Sequence, residues 1–176
     1  MQTRRIYLVG PRACGKTTVG KALAEALGWR FTDTDEVVVR GAGCAIADIV
    51  ERRGWDAFRD METAALRALS GEDAIVIATG GGMVLRAQNR DLMRESGLVV
   101  LLTASADVLA ERLSVDPLHA QRPSLTGKSV ADEVAEVLRE RAPMYAAAAH
   151  MLEDATQPVG EIVASVMQVL EKGEIP

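Results

Sequence analysis

The feature that most constrains the fold is the stretch GPRACGKT, from Gly10 to Thr17, directly behind the apolar run IYLV. Two glycines separated by four residues and followed by Lys16 and Thr17 match the phosphate-binding pattern G-x-x-x-x-G-K-[ST] at every fixed position. A chance match is expected in about one chain of this length in a hundred. The match also lies between a predicted strand and a predicted helix, which is the context that this loop requires. We therefore expect a site for nucleotide phosphates here.

The parts of such a loop have separate tasks. Its glycines let backbone N–H groups turn toward the phosphates, and the start of the next helix adds partial positive charge. Lys16 is predicted to reach the β- and γ-phosphates, and the Thr17 hydroxyl to ligate Mg²⁺. Cys14 is expected to act through its backbone, and Arg12 to point to solvent. The predicted nucleotide contacts of the loop are Gly10, Ala13, Cys14, Gly15, Lys16, Thr17 and Thr18.

Short apolar strands are predicted to alternate with helices along the chain. The predicted strands are Arg5–Val9, Arg30–Asp35, Ala74–Thr79, Leu98–Thr103 and His150–Glu153. The predicted helices are Lys16–Leu27, Ile46–Arg53, Trp55–Leu69, Arg86–Glu95, Ser105–Leu113, one from Ser129 and Gly160–Lys172. This alternation is typical of a parallel sheet covered on both faces. Ligands bind beyond the carboxyl ends of such strands, so the phosphate loop, Asp33–Asp35 and Gly80–Gly82 are expected to share one crevice.

Composition narrows the class of protein. A net charge of −5 offers no basic surface for a nucleic-acid backbone, so no nucleic-acid partner is expected. The two cysteines are too few and too far apart in sequence for a disulfide framework, and they fit a reducing compartment. No apolar run is long enough for a bilayer span or a signal peptide. We expect one domain over residues 1–176, cytoplasmic, monomeric and without a membrane partner.

The pair Asp33 and Asp35 is the predicted source of further metal and proton chemistry. The strand ending at Thr79 lacks the terminal Asp of an ordinary Walker B motif, so metal support has to come from elsewhere. On an extended backbone the two carboxylates face the same way. One could then support Mg²⁺ while the other takes a proton from an acceptor hydroxyl. The alternative is structural: Asp35 caps a helix that begins at Glu36, and Asp33 belongs to a turn.

Two arginines stand on helix faces that are otherwise apolar. Arg59 lies beside Phe58, one turn before Glu62, and Arg141 continues the stripe that includes Tyr145. A buried arginine is costly unless it meets an anion, so these residues indicate a small anionic acceptor. The alternatives without a ligand are an exposed ion pair between Arg59 and Glu62 and a snorkelling side chain at Arg141.

Taken in order, several blocks make the chain resemble the shikimate kinase family over nearly its whole length. The blocks are GPRACGKTTVG, FTDTDE, IVERRGWDAFRDMETAAL, VIATGGGMVL, RPSLTGK and ERAPMY. The resemblance implies a three-layer α/β fold of the P-loop nucleoside-kinase type, with a small substrate-binding subdomain at about 33–62 and a lid at about 114–128. It also implies MgATP-dependent phosphorylation of the 3-hydroxyl of shikimate, a step of chorismate biosynthesis.

The resemblance further implies a role for each site residue. Asp35 would act as the base, with Asp33 supporting Mg²⁺ together with Thr17. Arg59 and Arg141 would hold the shikimate carboxylate, with Glu62 orienting Arg59. The remaining implied contacts are the amides of Gly80, Gly81 and Gly82 to the ring, Lys16 and Arg122 to the ATP phosphates, and Arg112 near adenine.

Other functions stay open on the residues alone. A kinase of another small polyol acid, such as gluconate, would use the same scaffold, and a regulatory nucleotide-binding module without turnover would keep the phosphate loop. The presence of Asp35, Arg59, Glu62 and Arg141 argues against a decayed acceptor site. The chain has no Asn-Lys-x-Asp guanine-binding motif, which argues against a GTPase switch.

Overall fold

Strands and helices alternate along the chain, as the apolar pattern predicts. The computed structural model describes residues 4–115, 124 and 126–173. The strands within these ranges are β1 (Arg5–Val9), β2 (Arg30–Asp33), β3 (Ile75–Ala78), β4 (Leu98–Thr103) and β5 (Met151–Asp154). The helices are α1 (Lys16–Leu27), α2 (Thr34–Ala42), α3 (Ile46–Leu69), α4 (Ala87–Ser96), α5 (Ala106–Ser114), α6 (Val130–Ala148) and α7 (Val159–Lys172). A 3₁₀ turn, Met83–Leu85, precedes α4.

The strands pair in the order β2-β3-β1-β4-β5, and every pair is parallel. Leu8 of β1 lies between Ala78 of β3 and Val100 of β4. Because parallel strands all point the same way, the segments that leave β1, β2 and β3 emerge side by side at one edge of the sheet. This order brings the phosphate loop, the start of α2 and Gly80–Gly82 together.

Successive strand residues point to opposite faces of the sheet and pack into two separate cores. Ile6 and Leu8 pack with side chains of α1, α5 and α7. Tyr7 and Val9 pack with side chains of α3, α4 and α6. The fold is therefore a three-layer α/β sandwich, and the predicted fold class is confirmed.

The strand predicted over Arg30–Asp35 is two residues too long. β2 ends at Asp33, and α2 begins at Thr34. The structural alternative expected a helix here, but its cap is Asp33 and not Asp35. The cause is a helix cap: Asp33 Oδ1 accepts a hydrogen bond of 2.9 Å from the backbone N–H of Asp35. The expectation that both carboxylates alternate along one extended strand is therefore wrong, because Asp35 already belongs to a helix.

The helices predicted on either side of Gly54 are confirmed as two segments of α3. Gly54 has φ 80° and ψ 170°, a non-helical conformation that kinks the chain between them. Most of the predicted lid, including Arg122, lies outside the described residues. In the described part of the chain, no helix is long and apolar enough to cross a bilayer.

Candidate active site

A crevice of about 500 Å³ runs along the carboxyl edge of the sheet. The phosphate loop, Asp33–Asp35 and Gly80–Gly82 all contribute to its wall, so their predicted convergence is confirmed. The predicted site residues along it are Ala13, Gly15, Lys16, Thr17, Thr18, Asp33, Asp35, Arg59, Glu62, Gly80, Gly81, Gly82, Arg112 and Arg141. Gly10 and Cys14 are buried behind the loop surface and do not line the crevice.

The phosphate loop is shaped by close backbone approaches. Gly10 has φ +146°, and a Cβ on it would lie 2.2 Å from the carbonyl oxygen of Leu102 in β4, so no other residue fits there. Lys16 Nζ donates to the carbonyl oxygens of Gly10 at 2.9 Å and Pro11 at 2.7 Å. These bonds hold the ammonium group over the concave side of the loop, where the phosphates of a nucleotide would bind.

Two oxygen-bearing side chains that could ligate a metal ion lie together at the start of α1. Thr17 Oγ1 donates to Asp33 Oδ2 at 3.3 Å, although the two residues belong to α1 and β2. A hydroxyl and a carboxylate are hard oxygen ligands of the kind that Mg²⁺ prefers. The chemistry of this pair therefore fits the predicted magnesium site.

The carboxylates of Asp35 and Glu62 approach each other beside Gly80 at the crevice wall. A Cβ on Gly80 would lie 2.6 Å from both Asp35 Oδ1 and Glu62 Oε1, so the two oxygens are within twice that distance of each other. Glu62 is 1% exposed, and its Oε1 accepts no hydrogen bond from the described residues. Burial raises the pKa of Glu62, Arg59 opposes that shift, and the negative charge of Asp35 adds to it.

Arg59 is held rigidly among its neighbours on α3. Its guanidinium pairs with Glu62 and lies 5.2 Å from the ring centre of Trp55 and 5.3 Å from that of Phe58. Only 13% of its side chain is exposed, so the ion pair is buried rather than a surface contact. A Cβ on Gly82 would lie 2.1 Å from Arg59 Nη1, which shows that the turn after β3 closes over the guanidinium.

The glycine turn after β3 distributes its polar groups between the protein and the crevice. The N–H of Gly80 donates to the buried Thr34 Oγ1 at 2.9 Å. The resemblance implied that the amides of all three glycines contact the shikimate ring. That expectation is corrected at Gly80, because its N–H already donates to Thr34. The amides of Gly81 and Gly82 have no acceptor among the residues that the structure describes. On the other side, the Gly81 carbonyl accepts from Arg141 Nη1 at 3.1 Å and from the Tyr145 hydroxyl at 2.6 Å.

Arg112 links the phosphate loop to the segment that follows β5. Its guanidinium donates to the carbonyl oxygens of Ala13 at 3.3 Å and Ala155 at 2.9 Å. Arg112 therefore stands at the nucleotide end of the crevice, while Arg122 lies outside the described residues.

Some residues of the crevice wall were not predicted from the sequence. Arg12 was expected to point to solvent, but it is half-buried and lines the crevice. Its position inside the loop was the signal that could have indicated this. Apolar and small wall residues carry no such signal, because any core residue has the same chemistry; they are Ile46, Phe58 and Thr79.

Comparisons with known proteins agree on one family. The family model described as shikimate kinase matches residues 12–171. The shikimate kinase of Nitratidesulfovibrio vulgaris is 57% identical over 166 residues, which cover 94% of this chain and 95% of that protein. A solved structure of shikimate kinase from Acinetobacter baumannii in complex with shikimate superposes with a TM-score of 0.90 at 34% identity, covering 99% of this chain and 96% of that one.

A more distant likeness concerns the fold alone. A gluconokinase from Sinorhizobium meliloti has a TM-score of 0.59 at 23% identity, covering 97% of this chain and 93% of that one. The scaffold is thus shared with a kinase of another polyol acid, as the sequence suggested, but at this identity the likeness says nothing about the acceptor.

Proposed function

Because this chain belongs to the shikimate kinase family, we propose that it transfers the γ-phosphate of ATP to the 3-hydroxyl of shikimate. The observation that carries the proposal is one crevice with the phosphate loop at one end and the Arg59–Arg141 pair at the other. A series of contacts links the two ends. Thr17 donates a hydrogen bond to Asp33, which caps α2. Asp35 in the first turn of α2 lies close to Glu62, and Glu62 pairs with Arg59.

The acceptor end suits a hydroxylated ring that carries a carboxylate. Arg59 and Arg141 are fork-shaped cations that match a planar carboxylate, and Glu62 restrains the first of them. The amides of Gly81 and Gly82 provide further donors for the anion or the ring.

In the proposed reaction Asp35 accepts the proton of the 3-hydroxyl as that oxygen attacks the γ-phosphorus. The new bond joins the acceptor oxygen to phosphorus, and the bond from phosphorus to the β-γ bridging oxygen breaks. ADP leaves with that electron pair. Lys16 stabilises the charge on the transferring group, and Arg122 is proposed to add to this from the lid at about 114–128. Catalysis is then mainly positioning and charge stabilisation.

We propose Thr17 and Asp33 as the protein ligands of Mg²⁺. When bound, the ion would neutralise charge on the β- and γ-phosphate oxygens. Among the described residues there is no cluster of three or more histidine, cysteine or acidic ligands. The ion would therefore complete its coordination with phosphate and water oxygens, as Mg²⁺ commonly does.

The remaining parts of the proposal concern organisation. Residues of about 33–62 would form the acceptor-binding subdomain of a single domain, and α2 and α3 do share a small core of their own, made by Val38, Ile49, Phe58 and Ala65. We further propose that the protein is a cytoplasmic monomer. The free thiols of Cys14 and Cys44 support the cytoplasmic location, because that compartment is reducing. Light scattering on the purified chain measures the oligomeric state.

The test of function is a coupled ADP-release assay with MgATP. Shikimate, gluconate and a shikimate analogue that lacks the 3-hydroxyl are compared as acceptors, and the product is identified by phosphorus NMR. We expect saturable ADP release and a single phosphomonoester with shikimate alone. Equal stimulation by gluconate, or by the analogue, would overturn the assignment of the acceptor.

A further inference from the structure

The carbonyl oxygen of Gly81 accepts two hydrogen bonds from α6. The Tyr145 hydroxyl donates to it at 2.6 Å and Arg141 Nη1 donates to it at 3.1 Å. The two donors lie one helical turn apart on the same face, so α6 holds this one peptide from a single side. Arg141 is also expected to bind the acceptor, whereas Tyr145 has no task in the proposed reaction.

The geometry of the peptide bond gives this contact a consequence. In a planar trans peptide the C=O of one residue and the N–H of the next point in opposite directions. The structure has no cis peptide bonds among its described residues. Fixing the Gly81 carbonyl toward α6 therefore fixes the Gly82 N–H away from it. That amide has no acceptor among the described residues, and Gly82 lies against the Arg59 guanidinium.

We propose that Tyr145 is a positioning residue for the acceptor: its hydroxyl locks the Gly81–Gly82 peptide so that the Gly82 N–H faces the acceptor anion beside Arg59. A glycine pair needs such a lock, because residues without side chains leave the backbone free to rotate. By holding the same carbonyl, Tyr145 also leaves the Arg141 guanidinium free to turn to the acceptor without releasing the peptide.

The surroundings of Tyr145 suit this task. The residue is 2% exposed and belongs to the core between the sheet and α6, so its ring is fixed by packing. Burial raises the pKa of Tyr145 to about 12, although Arg141 opposes the shift. The hydroxyl therefore keeps its proton over the physiological range and remains a donor to Gly81.

The chain offers a matched control for the loss of this hydroxyl. Tyr7 is also fully buried, and its hydroxyl makes one hydrogen bond of 2.8 Å, with Ser96 Oγ, away from the crevice. Tyr145→Phe and Tyr7→Phe remove the same atom from comparable surroundings. A difference between them reports what the Gly81 contact does beyond packing.

The inference rests on the proposed function, so wild-type enzyme is assayed beside both variants. We expect Tyr145→Phe to raise the shikimate KM about fivefold, which corresponds to the central value of about 1 kcal/mol for one lost hydrogen bond. Its ATP KM and kcat should stay within about twofold. Tyr7→Phe should leave all three constants unchanged. Wild-type protein that does not phosphorylate shikimate overturns the proposed function and this inference together. An active wild type with equal constants in the two variants overturns the inference alone.

A second measurement does not depend on how the variants fold. In ¹⁵N-labelled wild-type protein, the Gly82 amide resonance should shift on addition of shikimate and become protected from solvent exchange. The amide of Gly80, already bonded to Thr34, should exchange slowly with or without shikimate. A Gly82 amide that is insensitive to saturating shikimate would show that the locked peptide does not face the acceptor, which contradicts the proposal.

Discussion

The two ends of the crevice are built in different ways. The nucleotide end consists mostly of one continuous loop and the first turn of α1, residues 10–18, to which Arg112 adds one long-range contact. The acceptor end takes its polar groups from α2, α3, the glycine turn after β3 and α6. One end is thus local in sequence, and the other exists only when four distant segments pack together.

The ends also differ in how they handle charge. At the nucleotide end Lys16 is satisfied by carbonyl oxygens of its own loop. At the acceptor end Arg59 and Glu62 are buried together, with Asp35 close by. Buried charges destabilise the protein unless they are well paired, so a ligand at the acceptor end can offset part of that cost. Substitutions at the acceptor end should therefore separate shikimate binding from ATP binding.

The largest effect is expected at Asp35, where the two ends meet. Asp35→Asn removes the proposed base, so kcat should fall by about a thousandfold, within the range for general-base loss. ATP affinity, measured by calorimetry, should change little because the phosphate loop is untouched. Asp91→Asn, an exposed change on α4, is the control. Wild-type-like turnover in Asp35→Asn would contradict its role as base.

Arg141 provides the next largest effect and the sharpest separation of the two ends. Arg141→Ala should raise the shikimate KM about ten- to hundredfold, the scale of a lost hydrogen bond to a charged group. The ATP KM should change little. Arg139 is an exposed arginine of the same helix, and Arg139→Ala should leave both constants as they are. Parallel losses of both substrates in Arg141→Ala would indicate damage to the fold instead.

Gly82 tests the acceptor end through shape rather than charge. A Cβ at this position would lie 2.1 Å from Arg59 Nη1, so Gly82→Ala must displace the guanidinium. A misplacement of about 1 Å can cost about a hundredfold, and a smaller displacement of this substrate-binding group should raise the shikimate KM about tenfold. Gly160→Ala in α7, where a Cβ meets nothing within 4 Å, is the matched control and should be neutral or slightly stabilising. Equal steady-state constants in the two variants would show that acceptor binding does not depend on the shape of this turn.

The smallest effect is a pH dependence of stability from Glu62. Burial raises its pKa above the value in the unfolded chain, so the folded state holds this proton more tightly. Stability from this group is present at low pH and is lost as pH rises above about 4.5. A tenfold difference in proton affinity between the folded and the unfolded chain corresponds to about 1.4 kcal/mol of stability, which sets the scale.

The matching variant is Glu62→Gln, which cannot titrate. As pH is raised from 4 toward 7, the free energy of unfolding of wild type, measured in urea, should fall relative to that of this variant. A difference that stays constant across this range would show that Glu62 ionises as readily in the folded protein as in the unfolded chain.

The crevice also shows where local patterns stop being informative. Asp33 and Asp35 were correctly placed at the crevice by the end of their strand, but their alternation along one extended strand was wrong, because Asp33 caps α2 and Asp35 belongs to that helix. The predicted ion pair of Arg59 and Glu62 exists, yet whether it is exposed or buried depends on the packing of Gly82 over it. The roles of these residues stay predictions, while the fold class and the family are confirmed.

Local sequence was enough to predict the parallel α/β fold, the phosphate loop and the family, because strand and helix periodicity and a contiguous motif depend on neighbours along the chain. Tertiary packing, in contrast, directs the Gly80 amide to Thr34, places Arg12 on the crevice wall and bonds Tyr145 to Gly81. The Gly80–Thr34 contact joins residues that are 46 positions apart in sequence, and the Tyr145–Gly81 contact joins residues that are 64 positions apart. Their partners are selected by how helices pack on the sheet, and no local pattern encodes that distance.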